Sequence, residues 1–149
     1  MKDLGILSYF LGIHFEQGNG FVKMNQKGYI TKVLERFEMS NCKPGSTPSE
    51  QKLEFDGETL MDPRQYREAV DSLVYAMNCT RPDICWVVTK LSQFLAAPIK
   101  GPWIALKHVL RYLKGTLDSE LCYRKCYDGL TQIGYSDADL ASSMDDRRP

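Results

Sequence analysis

The chain has 149 residues, enough for one domain with a real core or parts of two. A hydrophobic content of 43% against 26% charged residues excludes wholesale disorder. The formal net charge of zero argues against a free-standing, tightly DNA-binding module, which would be basic, but leaves local basic faces open. No apolar run approaches the roughly 20 residues that span a bilayer, and Met1-Lys2-Asp3-Leu4-Gly5 opens no signal-peptide core. These features imply no membrane partner and an intracellular setting, cytoplasmic or nuclear, for a chain that is not secreted. The five cysteines are odd in number and irregularly spaced, which fits reduced thiols. His14 and His108 are the only histidines, too few nitrogen ligands to favour a zinc site.

Along the chain, Tyr9 to Glu16 is β-rich, Gln17-Gly18-Asn19-Gly20 supplies turn residues, and Phe21 to Met24 resumes an extended pattern. This predicts a β-hairpin. Asn25 is placed to cap a helix whose apolar positions Tyr29, Ile30, Val33, Leu34 and Phe37 recur at helical spacing. Residues 41 to 65 hold Pro44, Gly45, Pro48, Gly57 and Pro63, and read as a linker or an irregular surface crossing. A helix with Tyr66, Val70, Leu73, Val74 and Met77 on one face follows, broken at Thr80-Arg81-Pro82-Asp83. Pro82 suits the first turn of the next helix, Asp83 to Phe94. A further helix begins at Pro102, presents Trp103, Leu106, Leu110 and Leu113, and stops at Gly115. From Glu120 the pattern turns to strands, at Leu121 to Arg124 and Leu130 to Ser136. The fold class expected is α+β.

Three groups of residues invite a chemical reading. Lys107, Arg111 and Lys114 stand at i, i+4 and i+7, a basic stripe opposite the apolar face of their helix. Such a stripe either tracks the phosphates of a duplex or is a solvated helix face. Arg81 and Asp83, flanking Pro82, are assigned structural work at a helix start. Polymerase chemistry needs a cluster of aspartates holding two metal ions, and residues 1 to 130 offer none. Ser143-Met144-Asp145-Asp146 runs into Arg147-Arg148 and reads as a solvated acidic-basic loop.

Seven segments together resemble the Pol polyprotein of copia-type retrotransposons, at the junction of reverse transcriptase and ribonuclease H. They are Met1 to Gly5, Tyr9-Phe10-Leu11-Gly12-Ile13, Asn25 to Ile30, Tyr66-Arg67, Thr80-Arg81-Pro82-Asp83-Ile84, Leu110 to Thr116, and Gly134 to Ala141 with Asp146-Arg147-Arg148. Any one is weak; seven in the family's order are specific. Asp71, His108, Leu140 and Pro149 depart from the family pattern and point to a divergent copy. In the family the Met-Lys-Asp-Leu-Gly run is internal, so the resemblance implies a fragment.

The resemblance implies the following organisation. Residues 1–40 would be the end of the reverse transcriptase palm, with a primer-grip-like hairpin, and the start of the thumb. Residues 41–65 would be a linker, 66–117 the helical thumb and connection, and 118–149 the opening strands of an incomplete ribonuclease H-like domain. Phe10, Leu11 and Gly12 would meet nucleic acid, with Gly12 allowing close backbone approach; an ordinary hairpin with Gly12 at a bulge is the alternative. Asp137 would be the first ribonuclease H metal ligand, catalytic in ancestry. Asp139 shares its strand face but completes no two-metal site. Mg²⁺ serves the full-length family enzyme and needs further carboxylates, so this fragment is expected to take no cofactor and to be inactive alone. The expected partner is nucleic acid, RNA–DNA hybrid or DNA duplex, bound weakly. The alternatives are a weak, non-specific duplex-binding module and a relic of the element without function.

Overall fold

A computed structural model of the chain describes residues 5–49, 58–59, 63–125 and 134. Its elements run β1 (Tyr9–Phe10), β2 (Ile13–Gly18), β3 (Phe21–Asn25), α1 (Lys27–Arg36), α2 (Pro63–Cys79), a 3₁₀ turn (Pro82–Ile84), α3 (Cys85–Ser92), α4 (Lys100–Gly115) and β4 (Leu121–Arg124). Among the described residues four antiparallel strands in the order β1-β2-β3-β4 accompany a helical core, so the fold is α+β.

The stretch Tyr9 to Glu16 is not one strand. It folds back at Leu11-Gly12, pairing Phe10 with Ile13 and Tyr9 with His14. Leu11 (φ 48°) and Gly12 (φ 77°) both adopt positive φ, as a two-residue type I′ hairpin loop requires. Gly12 is therefore a turn residue and not a bulge. The left-handed region costs a leucine roughly 1–2 kcal/mol, so something else must hold Leu11 there. The second hairpin keeps the expected place with a tighter turn: β2 runs on through Gln17 and Gly18, and Gly18 pairs with Phe21 across Asn19-Gly20. β4 then pairs with β3, from Phe21↔Arg124 to Met24↔Leu121, with all four helices inserted between the two strands. Leu121–Arg124, at the start of the segment after residue 118, thus forms the fourth strand of the sheet that begins with β1. The strand expected at Leu130 to Ser136 lies outside the described residues, except Gly134.

Helix α1 buries Ile30, Val33 and Leu34, the stripe its periodicity predicts. Asn25 does not cap it. Asn25 closes β3, its side chain accepts the Lys27 N–H at 3.4 Å, and Gln26 precedes the helix without a side-chain cap. At the other end Glu38 takes φ 57°, while Met39 N donates to Leu34 O at 2.7 Å and Glu38 N to Glu35 O at 3.1 Å. That is a Schellman stop with glutamate where glycine is usual. Helix α2 begins at Pro63, inside the segment read as linker, and the 3₁₀ turn at Pro82 leads into α3.

Among the described residues one apolar cluster joins helices α1, α2, α3 and α4. It includes Val33 and Leu34 of α1, Tyr66, Val70 and Leu73 of α2, Val88 and Leu91 of α3, and Leu106, Leu110 and Leu113 of α4. Trp103 lies at its rim, half-buried and 6.4 Å from the Tyr66 ring, and is less enclosed than its spacing suggests. Tyr66 satisfies its hydroxyl inside the core by donating to Leu91 O at 2.7 Å, and burial pushes its phenol far above the usual range.

Candidate nucleic-acid interface

The Leu11-Gly12 turn projects from the sheet and leans on α1 and α2. The Tyr75 hydroxyl donates to the Leu11 carbonyl oxygen. The Tyr75 ring meets Tyr29 edge to face, with centroids 5.0 Å apart at 71°. The Tyr29 hydroxyl donates to Ser72 O at 3.1 Å, fixing the pair to α2. Burial, then the neighbouring Cys79 thiol and Tyr29, push the Tyr75 phenol above its ordinary range. A Cβ at Gly12 would meet only Tyr29 atoms at 3.8 Å, an ordinary contact. The positive φ, not tight packing in the free chain, is what asks for glycine there. Outward, Phe10 is 55% and Leu11 68% exposed, and Tyr9 is exposed beside them. The result is an apolar, solvent-facing tip on a tethered base.

Lys107, Arg111 and Lys114 share α4 as their spacing predicts, but two of them already have partners. Residues 41–49 cross the face of α4. There the Arg111 Nε donates to Lys43 O at 2.9 Å and the Lys114 Nζ to Cys42 O at 2.6 Å. Gly45 N donates to Arg111 O at 2.9 Å, and the His108 ring Nε2 lies 3.0 Å from Thr47 O. Two glycines let the backbones meet. A Cβ at Gly45 would stand 3.2 Å from Tyr112 N, and one at Gly115 only 2.7 Å from Gly45 O. Lys107 alone of the three points away from this crossing, exposed, with its Nζ 5.2 Å from the Trp103 ring centroid.

Arg81 carries the structural work assigned to it, and more than its neighbours in sequence suggest. It is 2% exposed. It forms a fork with Asp83 (Nε–Oδ1 3.0 Å, Nη2–Oδ2 2.7 Å) and also donates to Thr116 O at 3.2 Å and Thr116 Oγ1 at 2.6 Å. Tyr112 completes the cluster by donating to Asp83 Oδ2 at 2.8 Å, with its ring under the guanidinium. Burial pushes the Asp83 carboxyl up, but the hydrogen bonds from Arg81 and Tyr112 with the Arg81 charge outweigh it, and the carboxyl sits below its usual range. Thr80 beside it donates to Gln26 Oε1 at 2.8 Å, tying the end of α2 to the start of α1. Only the tertiary structure reveals Thr116 and Gln26 as partners.

Asp137 and Asp139 lie outside the described residues. Among the described residues no three His, Cys, Asp or Glu side chains come together as metal ligands, and no helix is long and apolar enough to cross a membrane. An open cleft of about 520 Å³ is lined by Arg36, Arg64, Gln65 and Glu68. Glu68 accepts from both arginines, at 2.7 and 3.0 Å, which leaves its walls mixed in charge.

The apolar turn, the helical core and the strand that closes the sheet all fall within a region that known proteins share. Residues 1–51 match the family described as reverse transcriptase (RNA-dependent DNA polymerase). Over 99% of its length the chain is 41% identical to the retrovirus-related Pol polyprotein from transposon TNT 1-94 of Nicotiana tabacum, of which it covers 12%. It is equally similar, at 41% over 98% of its length, to the Pol polyprotein from transposon RE2 of Arabidopsis thaliana, covering 10% of that protein. An uncharacterized mitochondrial protein of Arabidopsis thaliana is 36% identical over 99% of the chain, which spans 62% of it. No solved structure matches. The chain is thus similar, from one end to the other, to about a tenth of the length of retrovirus-related Pol polyproteins from transposons, and its first third matches the reverse transcriptase family.

Proposed function

We propose that the chain is a segment of a copia-type Pol polyprotein and that its own residues hold a nucleic-acid duplex without performing chemistry on it. In this reading residues 1–40 are the end of the palm, with the primer-grip hairpin, and the start of the thumb, 41–65 a linker, 66–117 the helical thumb and connection, and 118–149 the opening of ribonuclease H, whose Leu121–Arg124 strand pairs with the hairpin strand Phe21–Asn25. The near full-length similarity to Pol polyproteins carries the reading; the exposed Phe10 and Leu11 at the tip of the turn support the placement of the grip. An apolar tip on a tethered turn suits packing against a sugar or base edge, a contact with no salt dependence. Lys107 is the cation of the α4 stripe that the 41–49 crossing leaves aside. Arg111 and Lys114 add charge but spend donors on backbone carbonyls. Asp137 is the residue on which the family's Mg²⁺ ligand falls, and the metal's chemistry belongs to the larger enzyme.

The test is a salt titration of RNA–DNA hybrid and DNA duplex binding. Affinity should be weak, about 10⁻⁴ M at physiological salt. Each phosphate contact contributes a log–log slope of about −0.9, so three would give about −2.7. Lys107→Ala should flatten the slope by about 0.9. Phe10→Ala should weaken binding at every salt concentration and leave the slope alone. Binding unchanged in both variants would dismiss the reading.

A further inference from the structure

We infer that Tyr75 is a positioning residue for nucleic-acid binding: its hydroxyl holds the Leu11-Gly12 turn in the conformation that presents Phe10 and Leu11. This rests on the reading of that turn as the grip.

The argument begins with the turn's own chemistry. A type I′ loop needs positive φ at both central residues, which Asn-Gly adopts readily and Leu-Gly does not. Leu11 nevertheless has φ 48° while the residue is 68% exposed, so its own packing does not account for the conformation. The external restraint is the hydrogen bond from Tyr75 to the Leu11 carbonyl oxygen, which fixes the peptide that joins the strained Leu11 to Gly12. Tyr75 is itself fixed, edge to face on Tyr29, whose hydroxyl is spent on Ser72 O. Helix α2 therefore sets the pose of a loop 64 residues away in sequence. A strained residue held by its surroundings is a recurrent mark of a ligand-contacting position. Here the strain sits at the exposed tip, where a favoured loop sequence would have served if shape alone were needed.

The experiment compares the full-length chain with Tyr75→Phe, Phe10→Ala and the double variant Tyr75→Phe/Leu11→Asn. Three readouts are taken: hybrid-duplex affinity, urea stability, and exchange of the Phe15 amide, which donates to Ser8 O at 2.9 Å across the β1–β2 hairpin. Losing one hydrogen bond should speed Phe15 exchange and weaken duplex binding about five-fold each. The salt slope should stay as it was. Leu11→Asn, which favours the loop without help, should restore Phe15 protection in the Tyr75→Phe background. A merely structural tyrosine would alter urea stability without that rescue and without loss of affinity. If Tyr75→Phe leaves exchange and affinity unchanged while Phe10→Ala weakens binding, the positioning role is wrong and the grip stands. If Phe10→Ala leaves binding unchanged, the grip reading fails and the role of Tyr75 in binding falls with it.

Discussion

Replacing Arg81 by methionine tests whether the cluster at the α2–α3 junction holds the helical core together. Methionine keeps an unbranched apolar stem and removes the guanidinium, and with it the contact over the Tyr112 ring. The loss comprises the fork to Asp83 and both bonds to Thr116. Removing one partner of a buried ion pair costs about 3–5 kcal/mol. Arg81 is 2% exposed but the Asp83 side chain is 37% exposed, so water recovers part of the carboxylate's solvation. The cost should therefore fall at the lower end, about 3 kcal/mol. Arg81→Lys should lose much of the same, because a single ammonium cannot reproduce the fork. The exposed Arg64–Glu68 pair is the control, and Arg64→Ala should shift stability by no more than about 0.5 kcal/mol. Urea unfolding supplies both values. The pH dependence adds a second signature. The Asp83 carboxyl is lowered in the folded state, so its stabilisation is complete above its unfolded pKa of about 3.9 and is lost as pH falls through the folded value. Arg81→Met should flatten that acid limb. A variant within about 1 kcal/mol of the parent, with its acid limb intact, would show the cluster to be incidental.

Leu110, 1% exposed among α1 to α4, should cost about 2–5 kcal/mol on truncation to alanine, read by the same urea titration. Glu38→Gly should stabilise the chain by up to about 1 kcal/mol, since glycine takes the φ of 57° at the end of α1 without strain; a destabilised variant would contradict the strain argument. Gly115→Ala places a Cβ 2.7 Å from Gly45 O, and the crossing of residues 41–49 should loosen at a cost of about 1–3 kcal/mol. Faster trypsin cleavage after Lys43 would report it, and unchanged cleavage would count against the clasp. Purified protein should extend no primer and cleave no RNA–DNA hybrid with Mg²⁺ or Mn²⁺; turnover abolished by Asp137→Asn would overturn the inactive-segment reading.

The helices and their inward faces were legible in the sequence because helical geometry is local. Ile30, Val33 and Leu34, or Leu106, Leu110 and Leu113, recur at the period of the backbone and need no knowledge of what they face. Pro82 announced a helix start for the same reason, since its fixed φ acts on its own turn. Leu11-Gly12 was not legible as a hairpin loop, because leucine disfavours positive φ and the group holding it there, Tyr75, lies on another element. Glu38 at the end of α1 escaped for a like reason: the Schellman bonds are visible only once the chain has turned. The partnering of β3 with β4 depends on the helical core bringing distant strands side by side, which no window of sequence encodes. The basic stripe shows the division most sharply. Spacing placed Lys107, Arg111 and Lys114 on one helix, but a charge's role depends on what lies opposite it. Only the folded chain lays Cys42 and Lys43 carbonyls against Arg111 and Lys114 and leaves Lys107 facing outward.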